Sequence, residues 1–188
     1  MNRFLLLYCF VLVLAGCKRP VEEAATPVST PTPVATTTPK PPVEAAVKPD
    51  LPGLHVKTID GKEYDLSAHR GQWVVVNFWA TWCGPCLKEM PELSALDAMR
   101  EHVEVIGLAY EEIAPAEMQA FLQKHPVVYP VAILDVYNPP KDFATPRGLP
   151  TTYLVAPDGK VAKHFLGPVT ASDIDTAIAN AGGPKPAA

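Results

Sequence analysis

The chain has 188 residues, 48% of them hydrophobic, enough for one domain of ordinary size plus extensions. Its formal net charge of −4 leaves no basic footprint and argues against nucleic acid as a partner. The 22 prolines and four cysteines are unevenly spread, so the chain divides into segments of different character.

Residues 1–16 carry Arg3, an apolar run from Phe4 to Leu14, and then Ala15-Gly16 before Cys17. The run is shorter than the roughly 20 apolar residues a bilayer-spanning helix needs, and it has the layout of a secretory signal. Leu14-Ala15-Gly16-Cys17 resembles a bacterial lipobox, whose cysteine is lipidated and becomes the mature N-terminus. Cys9 would leave with the signal. The expectation is an exported protein, periplasmic or otherwise extracytoplasmic, held on a bacterial membrane through a lipid on Cys17. Lys18 does not decide between inner and outer membrane. An ordinary signal peptide with an accidental cysteine is the competing reading.

Residues 17–50 read as a tether. Nine prolines fall between Pro20 and Pro52, interleaved with Thr, Val and Ala, with almost no large apolar side chain. Such a segment cannot bury enough surface to offset the entropy of ordering. In extended polyproline form, at about 3.1 Å per residue, it could reach on the order of 100 Å.

A single domain is expected over 51–183, followed by a short tail at 184–188. Val56 to Tyr64 alternates around Asp60-Gly61 and reads as an N-terminal β-hairpin. Trp73-Val74-Val75-Val76-Asn77-Phe78 is a β-branched apolar run, read as a buried strand over about 73–79. A helix is expected over about 84–101, with Leu87, Met90, Leu93, Leu96 and Met99 apolar at spacings of three and Pro91 kinking it. A strand at 103–109 follows, giving a right-handed parallel unit. A helix at about 115–125 starts on Pro115 and buries Met118, Phe121 and Leu122. The segment 129–134 is an extra strand or extended connection. Residues 151–156 and 161–166 flank Pro157-Asp158-Gly159-Lys160 as an antiparallel hairpin. The last helix, about 171–181, has Thr170 as N-cap, Asp173 three residues on and Gly182 as stop.

Cys83 and Cys86 therefore sit where a core strand turns into a helix. A thiol there meets unpaired N–H groups and the positive end of the helix dipole, both favouring thiolate. Cys83 would be the exposed, cap-side sulfur, with Cys86 one turn in and able to close a disulfide. Zinc would need two further ligands of matching spacing. No other cysteine lies in the body of the chain, and His55, His69, His102, His125 and His164 are scattered singly. A structural disulfide closing two residues would constrain the unfolded chain little. The redox reading is preferred, with no metal and no cofactor.

Asn77-Phe78-Trp79-Ala80-Thr81-Trp82-Cys83-Gly84-Pro85-Cys86, followed by Lys88-Glu89-Met90-Pro91, resembles the active-site signature of thioredoxin-fold proteins, most closely the TlpA/ResA-like, membrane-anchored thiol-disulfide oxidoreductases. The resemblance covers about Leu54 to the last helix. It implies an α/β thioredoxin-like fold, a central mixed β-sheet flanked by helices, with the hairpin as an N-terminal extension. It also implies that Pro150, in Gly148-Leu149-Pro150-Thr151-Thr152, is cis and lies against the cysteines. Read blind, Leu149-Pro150 would be a trans proline at a strand entry. With the cis bond, Leu149 and Pro150 would clamp an extended substrate beside Cys83, and Trp82 would shield the sulfurs. The buried aspartate that thioredoxins carry in the preceding strand is replaced by Asn77, which cannot titrate. Glu111 or Glu112, near the end of the next strand, are the candidate acids, with a solvated pair before a helix as the alternative.

In the chemistry this implies, Cys83 attacks a substrate disulfide and Cys86 resolves the mixed disulfide. Gly84-Pro85 is the thioredoxin pair, which favours a reductant. The implied partners are oxidised extracytoplasmic clients, among them apocytochrome c or copper-handling proteins, and a membrane thiol-electron donor. Competing readings are a disulfide oxidase or isomerase using the same cysteines, and a non-enzymatic Cu(I) module, since soft thiolates suit that ion. A peroxidase fits less well, because Ala80 stands where that chemistry has a threonine.

Overall fold

A computed structural model describes residues 51–185. The expected signal segment, the Leu14–Cys17 motif with its expected lipidation site, the expected tether over 17–50 and the last residues of the tail lie outside the described residues.

The domain is built on a five-stranded sheet in the order β5-β4-β3-β6-β7. Its centre is β3 (Trp73–Trp79), buried at every position because both faces are covered. Parallel to it runs β4 (Val103–Ala109), paired in register from Trp73↔Val103 to Trp79↔Ala109. The short β5 (Val131–Ile133) adds parallel to the far half of β4, so the 129–134 segment is a strand. On the other side β6 (Thr151–Val155) runs antiparallel to β3, and β7 (Val161–Leu166) antiparallel to β6. A separate two-stranded hairpin, β1 (His55–Lys57) with β2 (Glu63–Asp65), precedes the sheet. Its turn relies on Gly61 at φ 85°, a conformation that costs other residues a clash at Cβ.

Alternation along the strands sends two sets of side chains to opposite faces. Trp73, Val75 and Trp79 join Met90, Leu93 and Leu96 of α1 (Gly84–Met99), Met118 of α2 (Pro115–Lys124), and Ile174 and Ile178 of α3 (Ala171–Asn180). Val74, Val76 and Phe78 pack with Leu54 and Tyr64 of the N-terminal region, Leu66 of a 3-10 turn (Leu66–His69), and Phe143. All three α-helices thus contribute to one face. The hairpin, the turn and the irregular crossover between β5 and β6 cover the other. None of the described helices is long and apolar enough to cross a membrane.

Helix α1 buries Cys86, Glu89, Met90, Leu93 and Leu96, whereas Met99 is 71% exposed. The reason is geometric: a spacing of three advances 300° rather than a full turn, so a run of such steps winds off the buried face. Helix α3 starts as a reciprocal cap, Thr170 accepting from the Asp173 N–H while the Asp173 carboxylate accepts from the Thr170 N–H. Where β5 falls short of the full edge of β4, the Val105 N–H donates to the Asp97 carboxylate at 2.8 Å.

Candidate active site

Because β3, β4 and β5 are parallel, the residues that follow them, 80–83, 110–114 and 134–138, emerge at one end of the sheet. Open sheets present ligand sites at this end. The β3–β4 ladder continues past its last strand pair, with the Tyr110 N–H donating to the Trp79 carbonyl at 2.8 Å. The loop between β3 and α1 then turns at once into the helix, the Cys83 N–H donating to the Ala80 carbonyl.

Cys83 is the N-cap of α1 and Pro85 lies in its first turn, where a missing N–H costs nothing. Cys83 and Cys86 are joined as a disulfide with their Cα atoms 5.3 Å apart. The Cys86 N–H donates to the Cys83 sulfur at 3.3 Å. Cys86 is fully buried. Cys83, expected to be exposed, is only 5% exposed, because it belongs to the cluster on the helix face of the sheet. It is nonetheless the more accessible residue of the pair. Trp82, expected to shield the pair, is 70% exposed, so its indole stands largely in solvent.

The Leu149–Pro150 bond is cis. Phe78 is level with Thr151 in the β3–β6 register, which brings Pro150 beside the end of β3, where the active-site loop begins. Pro150 is buried and Leu149 half-buried, and Leu149 packs against the cluster that holds both cysteines. The Thr151 hydroxyl donates to the Gly148 carbonyl at 2.7 Å and holds the bend that delivers this segment.

Glu111 receives the Thr81 N–H at 2.6 Å and the Thr81 hydroxyl at 2.9 Å, so its carboxylate braces the loop two residues before Cys83. Glu112 is exposed, and its negative charge holds the Tyr137 phenol above its ordinary range. The buried carboxyl beneath the site is a different residue, Glu89. It lies one turn beyond Cys86 on the inner face of α1 and is 3% exposed. Its two oxygens accept from the Asn77 amide at 2.8 Å and the Val169 N–H at 2.8 Å, and Asn77 also donates to the Thr152 hydroxyl at 3.0 Å. Burial raises Glu89 to about 7, and these two hydrogen bonds to the carboxylate offset only part of that shift. Spacing alone could have found it, since Glu89 is at i+3 from Cys86, but a glutamate in a Lys-Glu pair reads as a solvated helix face.

Among the described residues no group of three or more His, Cys, Asp or Glu side chains is placed to hold a metal ion. The arrangement can perform dithiol–disulfide exchange: two cysteines, one residue more accessible than the other, a buried carboxyl that titrates near neutrality, and a peptide segment beside them.

The redoxin family profile matches residues 34–178. Among curated proteins, the thiol-disulfide oxidoreductase ResA of Bacillus subtilis (strain 168) is 35% identical over 127 residues, covering 66% of this chain and 70% of that protein. ResA of Geobacillus thermodenitrificans (strain NG80-2) is 30% identical over 131 residues, covering 69% and 74%. Of solved structures, StoA from Bacillus subtilis superposes with a TM-score of 0.58 at 25% identity, covering 69% of this chain and 98% of that one. A thioredoxin-family thiol:disulfide interchange protein from Chlorobium tepidum TLS gives 0.59 at 25%, covering 71% and 96%.

Proposed function

From the premise that this chain belongs to the redoxin family and is a thiol-disulfide oxidoreductase of thioredoxin-like fold, we propose that it reduces disulfides in extracytoplasmic client proteins, with Cys83 as nucleophile and Cys86 as resolving thiol. The observation that carries the assignment of roles is the asymmetry of the two sulfurs. Cys83 caps α1 and receives the Cys86 N–H, an arrangement that favours its thiolate once the disulfide is opened. Cys86 is wholly buried, which disfavours charge on its sulfur until it is needed.

The cycle balances in two exchanges. The Cys83 thiolate attacks one client sulfur, a mixed disulfide forms, and the other client sulfur leaves as thiolate. Cys86 then loses its proton and attacks Cys83, forming the intramolecular disulfide and releasing the second client thiolate. Glu89, ionising near 7 one turn away on the same helix, is the carboxylate suited to accept that proton in place of the aspartate that Asn77 replaces. Leu149 and Pro150 hold the client backbone beside Cys83, and Trp82 offers its exposed ring to the same client. A thiol-electron donor in the membrane returns the disulfide to the dithiol.

The same reading makes the protein periplasmic or otherwise extracytoplasmic, anchored to a bacterial membrane through lipidated Cys17, with apocytochrome c or copper-handling proteins among its clients. Its support is the Leu14-Ala15-Gly16-Cys17 motif, the proline-rich segment after it, and the resemblance carried by the active-site signature. The test is the reduction potential of the Cys83–Cys86 couple together with turnover of a polypeptide disulfide. A potential near the roughly −270 mV of thioredoxin supports a reductant, and one near the roughly −120 mV of DsbA overturns it in favour of an oxidase.

A further inference from the structure

Tyr137 is the most exposed large hydrophobic residue of the described chain, at 81%, and nothing in the dithiol chemistry requires it. Its position is nonetheless fixed by the topology. The crossover that carries it, residues 134–150, begins at the end of β5 and finishes at the start of β6. In the strand order β5-β4-β3-β6 it must therefore pass over both β4 and β3. Its first residues continue the ladder beyond β5, the Leu134 N–H donating to the Ala109 carbonyl at 2.9 Å. They leave from the same end of the sheet as the dithiol, since β3, β4 and β5 are parallel.

The crossover contains no helix, yet it is held at several points. The Tyr137 N–H donates to the Asp135 carboxylate at 2.9 Å, and the Asp142 carboxylate receives the Gly53 N–H at 2.9 Å. Phe143 packs edge-on against Tyr153 with ring centroids 5.1 Å apart. The charge of Glu112 raises the Tyr137 phenol above its ordinary range, and the adjacent residue, Glu111, grips Thr81, the neighbour of Trp82. The Glu111–Thr81 bonds thus tie together the two loops that follow β3 and β4, at the end of the sheet where both exposed aromatic residues lie. Cys83, by contrast, is almost covered.

We propose that Tyr137 is a specificity-determining residue, the second aromatic contact, with Trp82, for an extended polypeptide segment carrying the client disulfide. A small disulfide needs only the sulfur; a polypeptide threaded past Cys83 extends several residues to each side and meets the crossover. With the backbone that carries it fixed by Asp135, this two-torsion aromatic side chain offers contact area at modest cost in ordering. The inference rests on the reading that the physiological partner is a polypeptide.

The test compares wild type, Tyr137→Ala and Tyr137→Phe on insulin and on 5,5′-dithiobis(2-nitrobenzoate), with the reduction potential of each variant measured alongside. Tyr137→Ala should raise KM for insulin about tenfold with kcat unchanged, the size of loss typical when a contact aromatic is truncated. The small disulfide and the potential should not respond, and Tyr137→Phe should keep KM within about twofold of wild type. Equal losses on both disulfides, or no change on insulin, overturn the proposal. If wild type oxidises reduced insulin rather than reducing the disulfide form, the reductant reading fails, and the same comparison run with reduced insulin and a small thiol still decides the role of Tyr137. A wild type indifferent to insulin in both directions overturns both.

Discussion

Asn77 donates its amide N–H to the Glu89 carboxylate at 2.8 Å, pairing a side chain that cannot titrate on β3 with one that titrates near neutrality on α1. The titrating carboxyl thus lies on the helix, and the strand residue is its hydrogen-bond donor.

Stability should consequently depend on pH through Glu89. Its folded value, about 7, lies above its ordinary 4.5, so between those limits the folded state holds a proton that the unfolded state has lost. The contribution is fully present below about 4.5 and disappears as pH rises through 7, amounting to roughly 3 kcal/mol at most for a shift of this size. Denaturant titrations of the oxidised protein, in which the cysteines do not titrate, should show stability falling from pH 5 to pH 8. In Glu89→Gln that slope should flatten. An unchanged slope in the variant would show that another group carries the dependence.

Replacing Glu111 by Ala should leave the Thr81 N–H and hydroxyl without their acceptor, at a cost of about 1–3 kcal/mol in unfolding free energy if water does not take its place. Thr81→Val, which removes only the hydroxyl, should cost less. The loop before Cys83 should lose hydrogen-exchange protection in Glu111→Ala, with exchange in the distant β7 unaffected.

The roles of the two sulfurs can be read from trapped adducts. Cys86→Ser should accumulate mixed disulfides on Cys83, because the resolving thiol is gone, whereas Cys83→Ser should accumulate none. Reversed yields on non-reducing gels would exchange the assignments.

Anchoring is tested at Cys17. Wild-type protein should sediment with membranes, and a variant with Cys17 replaced and an alternative cleavage site supplied should appear in the soluble extract. Unmodified wild type in the soluble fraction would reject the lipid anchor.

Much of this architecture was legible in the residue pattern. The run at 73–79 is buried on both faces and so is apolar throughout, and Thr170 with Asp173 announces the start of α3 by the chemistry of its cap. Two features were not. Glu89 looks like a surface residue because its neighbours Lys88 and Glu92 are polar; only the packing of α1 against β3 turns it inward. The brace from Glu111 to Thr81 spans 30 residues, and no local spacing rule reports a contact between two loops that meet only when β3 and β4 pair.

The bond from Val105 to Asp97 bears on how copies of the protein behave when crowded. Beyond β5 the outer edge of β4 would offer a backbone N–H to any extended chain, the template on which strands of separate molecules stack into aggregates. Asp97 occupies that N–H from within the same molecule. At the opposite border of the sheet, β7 carries Lys163, whose charge resists docking of a second copy in the same way. With these two positions guarded, pairing of copies through them is disfavoured even at high local concentration, leaving each dithiol open to exchange.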